Sequence, residues 1–143
     1  VRALRARTRA ATVAASRPER TADGRVSDFE QGAPVATYGS AFLASTDQMA
    51  GGGSTVQLAV VDGGAGGQGR ALELTGTVDG KLPYAWAGTM WMPARAAMAP
   101  VDLRGTEAVR FWARGDGGTY QLMVFAQSRG RMPTAVPFVA GPE

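Results

Sequence analysis

With 143 residues and a formal charge of +3, the chain has room for one two-layer domain plus an appendage. It contains no cysteine and no histidine. That excludes disulfide frameworks, thiolate nucleophiles, zinc–thiolate sites, Ser-His-Asp catalysis and imidazole metal ligands, so catalysis by these residues alone is not expected, nor is a cofactor.

The positive charge is local. Residues 1–25 hold seven arginines against Glu19 and Asp23, whereas 26–143 hold eight basic and ten acidic side chains. A basic tail on a slightly acidic remainder argues against nucleic-acid binding by the domain itself. No apolar run is long enough to span a bilayer, and no secretory core stands near the start.

Residues 1–16 are rich in Ala, Arg and Leu and read as a helix, closed at Arg17-Pro18 because the residue before proline avoids the α region. Three readings compete for this basic helix or linker: the end of a preceding domain, a solvated linker, or an organellar transit peptide. Arg20 to Arg25, with Asp23-Gly24, reads as a linker turn. The domain boundary is therefore drawn between 25 and 26.

From Val26 onward strands alternate with turn signals and no helix is expected. The predicted strands are 26–30, 41–45, 55–61, 70–78, 84–92, 108–114, 120–127 and 134–139. Val56, Leu58 and Val60 share one face, as do Leu72, Leu74 and Val78. Tyr120 to Phe125 is apolar on both faces and reads as a central strand covered from both sides. Short strands at this spacing predict a sandwich or jelly roll. The chain ends at Gly141-Pro142-Glu143 directly after an apolar segment. It is read as truncated there, with an open sheet edge and a tendency to aggregate.

Candidate chemistry concentrates in the loop Ser45 to Gly53, where Asp47 and Gln48 precede three glycines. Two readings stand side by side: a polar ligand contact with Asp47 accepting and Gln48 doing both, or an Asp47 side chain bonded to its own loop backbone. Trp86, Trp91, Trp112 and Tyr120 offer faces for a sugar ring, against ordinary sheet packing, which is favoured for Trp112 and Tyr120. Asp28 and Glu30 are weak candidates for calcium, which wants six to eight oxygens. Arg129 and Arg131 read as an anion contact or as surface charges. The glycines of 63–69 lack the Gly-Lys-Ser/Thr ending of a phosphate loop.

Six motifs in order resemble the complex I intermediate-associated protein family: Asp28-Phe29-Glu30, Ser45 to Gly52, Tyr84 to Gly88, Pro100 to Leu103, Val109 to Gly117 and Pro137 to Glu143. The resemblance covers about residues 26–143. It implies an all-β, galactose-binding-like jelly-roll sandwich, truncated at its C-terminus, without established catalysis. Asp47, Gln48 and Trp86 are then the expected contacts to a ligand or partner: a protein, an upstream domain of the same chain, or a carbohydrate-like small molecule. The family includes a mitochondrial assembly factor for respiratory complex I, and bacterial members that form the C-terminal part of metal-dependent amidohydrolases acting on C–N bonds. The tail is similar to the end of such a hydrolase domain, and a bacterial cytoplasm or periplasm is favoured over the mitochondrion.

Overall fold

The computed structural model describes residue 17, residues 20–130 and residues 132–142. The expected helix over 1–16 and the contribution of Arg131 lie outside them. Six strands form three antiparallel pairs, and among the described residues there is no α-helix. The strands are β1 (Leu43–Thr46), β2 (Thr55–Asp62), β3 (Arg70–Thr77), β4 (Ala87–Met90), β5 (Thr119–Val124) and β6 (Thr134–Val139). β1 pairs with β4, β2 with β3, and β5 with β6. The all-β expectation holds at this level.

β2 and β3 form the longest hairpin, in register from Thr55↔Thr77 to Asp62↔Arg70. The pairing places Leu58 opposite Leu74 and Val60 opposite Leu72, so the apolar alternation of both strands falls on one face. Val78 lies just past the end of β3 and is exposed. Gly63 and Gly69 close the connecting loop, where the Gly63 N–H donates to the Gly69 carbonyl at 2.9 Å. Both adopt positive φ, a conformation that a side chain would strain. The β1–β4 pair packs against this hairpin.

An irregular segment, residues 26–42, folds onto the same body. Tyr38 is buried and meets Trp91 edge-on at 5.2 Å, while the Trp91 indole N–H donates to the Tyr38 carbonyl at 3.1 Å. Phe29 and Phe42 pack with ring centroids 5.1 Å apart. Glu30 accepts the backbone N–H of Arg70 at 2.8 Å, which ties this segment to the start of β3.

Two predicted strands do not form ladders. In 26–30 the backbone donors are taken by nearby side chains: Phe29 N–H by the Ser27 hydroxyl at 3.1 Å and Glu30 N–H by Asp28 at 3.2 Å. Such local bonds compete with sheet pairing, and Phe29 sits at φ 61°, outside the β region. Residues 106–115 run without bend or turn, yet no backbone hydrogen bond joins 107–114 to another described residue. A strand needs a neighbour, and this segment has none among the described residues.

The expectation of a two-sided cover over Tyr120–Phe125 is also corrected. Among the described residues β5 has a neighbour on one edge only, and Tyr120, Met123, Val124 and Phe125 are exposed. Among the described residues the buried apolar side chains are Tyr38 and Ala140 alone. Nothing in the β1–β4 body packs extensively on the β5–β6 ribbon.

Candidate functional site

The three predicted contact residues meet at one end of the β1–β4 pair. Thr46 stands opposite Ala87 in the ladder, and one step further the Asp47 N–H donates to the Trp86 carbonyl at 3.2 Å. The Trp86 indole N–H donates to the Ser45 hydroxyl at 3.1 Å, which fixes the ring against β1. Residues far apart in sequence thus share one corner because β1 and β4 are register partners.

The loop leaving this corner begins with a single 3-10 turn, Asp47–Ala50, closed by Gly51 at φ 88°. Its anchor is Asp47, whose side chain is 0 % exposed. One carboxylate oxygen accepts the Ser54 N–H at 3.0 Å, and the other accepts the Ser54 hydroxyl at 2.8 Å. Gln48 adds a third tie, its amide donating to the Ser54 carbonyl at 2.8 Å. The Ser54 hydroxyl in turn accepts the Asp79 N–H at 3.0 Å, so the loop is pinned to the end of β3 as well.

Burying a carboxylate is expensive unless its lone pairs are occupied, and here both oxygens are. The bonding runs seven residues ahead to Ser54, further than an Asx turn reaches, but it serves the loop backbone. Asp47 therefore spends its carboxylate inside the loop, and Gln48, an exposed residue, spends its amide N–H there. The glycines follow from the same packing: a Cβ on Gly52 would collide with the Asp47 carboxylate, and one on Gly53 with Asp79. Gly88, by contrast, has open space where its Cβ would stand.

Apolar groups are left outward at this corner. Met49, on the 3-10 turn, and Tyr84, two residues before Trp86, are each 87 % exposed. The arrangement is a stiff polar loop with exposed apolar side chains on its two component segments. Ser54 and Ser45, which hold Asp47 and Trp86, escaped the sequence reading. A serine at the start of a strand after three glycines was the available signal for Ser54.

Other predicted positions lie elsewhere. Trp112 is 88 % exposed and outside any strand, contrary to the packing reading. It belongs to the unpaired segment, where no sheet face is available to receive it. Tyr120 stacks on Phe138 at 5.8 Å, and its hydroxyl donates to Asp116 at 2.9 Å. That bond raises the tyrosine pKa above its ordinary value, while the Gly118 N–H and then the Tyr120 hydroxyl lower that of Asp116.

Asp28 pairs with Arg25 at 3.1 Å, whereas Glu30 faces Arg70, so the two carboxylates have separate partners. Among the described residues no group of three or more acidic side chains is placed to hold a metal ion. Arg129 is exposed in a short turn. The Arg104 guanidinium, beside the Asp102 carboxylate, depresses that acid to a pKa of about 2.

No helix among the described residues is long and apolar enough to cross a membrane. No protein-family model matches the chain, and neither a curated protein nor a solved structure does so.

Proposed function

We propose that this chain is a non-catalytic interaction module of the galactose-binding-like, jelly-roll type, an accessory part of a larger protein that uses the Asp47–Ser54 corner to hold a protein partner. The observation that carries the reading is the inward use of the buried Asp47 carboxylate, with the Gln48 amide N–H also tied to the loop, beside outward Met49 and Tyr84. A loop already rigid before binding loses little entropy on docking, and exposed aromatic and thioether side chains are the groups that interfaces favour. The lack of histidine and cysteine supports a non-catalytic role, and the six-motif resemblance supports the fold type.

The same corner favours a protein partner over a carbohydrate-like ligand, because sugar recognition uses outward polar side chains and the Asp47 carboxylate is fully buried. Affinity capture with the full chain and with the double variant Met49→Asp, Tyr84→Asp tests the proposal. A bound protein retained by the parent, released by the double variant and kept by Val139→Asp supports it. Sugar binding reported by Trp86 quenching, or turnover abolished by substituting a residue of this chain, overturns it.

The resemblance offers two parents: a metal-dependent amidohydrolase with its metal centre upstream, and a complex I assembly chaperone. The gene upstream of Val1 separates them. A long coding stretch with a His-x-His motif after a strand favours the hydrolase, and an initiator methionine shortly before Val1 favours the chaperone.

A further inference from the structure

The β5–β6 ribbon has two edges of unequal character. Pro137, opposite Gln121, interrupts no ladder bond, so its ring nitrogen faces away from β5 and the outer edge of β6 lacks a donor there. The alternation follows from the Ala140 N–H donating to the Gly118 carbonyl at 3.3 Å. Even-numbered residues of β5 therefore bond to β6, and Thr119, Gln121 and Met123 direct their backbone groups to the outer edge. Among the described residues nothing pairs with that edge.

The segment itself, Thr119 to Phe125, contains no charge, no proline and no glycine. Tyr120, Leu122 and Val124 line one face, continuous with Phe138 and Val136 across the ladder and with Phe111, which meets Phe138 edge-on at 5.2 Å. A lone two-stranded ribbon with this much exposed apolar surface is marginal in water, and it gains from a third strand.

We infer that β5 is a homodimerisation edge, and that a second copy of this chain adds its own β5 antiparallel to the first. The occupant follows from self-complementarity. A twofold axis through Leu122 sets Leu122 against its symmetry mate and Tyr120 against Val124 of the other copy, while Gln121 faces Met123. Every cross-strand pair on the Tyr120 face is apolar, no like charges meet, and Thr119, Gln121 and Met123 gain ladder partners. Pairing through β6 instead would leave carbonyls facing Pro137 without a donor. This surface is independent of the Asp47 corner and of the function proposed for it.

Because the chain has no native cysteine, a single introduced one reports on contact directly. The full chain is expected to elute with the mass of a dimer, and Leu122→Cys to form a disulfide-linked dimer on mild oxidation, with Trp112→Cys remaining monomeric, both read on a non-reducing gel. Gln121→Pro, which removes only an outward N–H, and Met123→Lys are each expected to shift the native chain to a monomer with an unchanged far-UV spectrum. A monomer at all concentrations overturns the inference. So does a dimer that cross-links at 112 and not at 122, or open-ended filaments in place of a closed dimer.

Discussion

The Asp47 carboxylate grips Ser54 at both its N–H and its hydroxyl, at 3.0 and 2.8 Å, with both side chains fully buried. This pair converts a glycine-rich loop into a fixed turn. Replacing Asp47 by Ala removes two hydrogen bonds and leaves the buried Ser54 N–H and hydroxyl without their acceptor, so a loss of about 3 kcal/mol is expected. Asp47→Asn, which keeps one acceptor oxygen, loses less. Urea unfolding monitored by tryptophan fluorescence measures the difference, and a loss below about 0.5 kcal/mol for the Ala variant would mean that the loop is held otherwise.

The glycines of this loop divide by cause. Gly52→Ala drives a methyl group into the Asp47 carboxylate and is expected to lower the melting temperature markedly. Gly88→Ala meets nothing within 4 Å and lies in β4, where a side chain restricts the unfolded chain, so it is neutral or slightly stabilising. Thermal melts of the two variants side by side decide this. Equal effects would refute the steric account.

Tyr120 provides a pH reporter on the β5–β6 ribbon. Its hydroxyl donates to Asp116, which favours the protonated phenol and raises the pKa above the ordinary value of 10.0. The bond's contribution is complete below the unfolded pKa and is lost as the pH rises through the folded one. Absorbance titration at 295 nm should show a tyrosine component ionising above pH 10.0 that is assigned to Tyr120 by its loss in Tyr120→Phe. Asp116→Asn should return that component toward the ordinary value of 10.0, and a titration unaffected by that change would exclude the bond.

Asp102 gives the opposite sign. Its side-chain bonds from Arg104, then the Arg104 N–H, hold its pKa at about 2 against an ordinary 3.8. The stabilisation is present above pH 3.8 and disappears as the pH falls toward about 2. Carboxyl carbon NMR should show Asp102 titrating below the ordinary aspartate value of 3.8. Arg104→Gln should move it back up, and added salt should narrow the gap because the pair is exposed.

The period-2 alternation in β2 and β3 was legible directly, since side-chain direction along a strand is a local property and the two apolar faces matched on pairing. The corner holding Asp47, Gln48 and Trp86 was legible as residue types. Its meaning was not, because the partner of Asp47 lies seven residues ahead and depends on how the loop closes. A sequence shows that an aspartate precedes glycines; only the fold shows that the carboxylate fills the space that Gly52 leaves by lacking a Cβ.

For 108–114 and β5 the limit is different. Hydrophobicity and β-propensity identified both segments, but a ladder also requires a second strand at about 4.8 Å, and that requirement is met by residues distant in the chain or not at all. Local pattern therefore determined which residues are suited to be strands, where the chain turns, and what chemistry the absence of histidine and cysteine removes. Tertiary structure decided which strands are paired, and hence that Trp112 is exposed, that no described strand other than β6 pairs with β5, and that Asp47 is buried. Pairing and burial are free energies of two segments together, and neither segment's sequence contains the other's position.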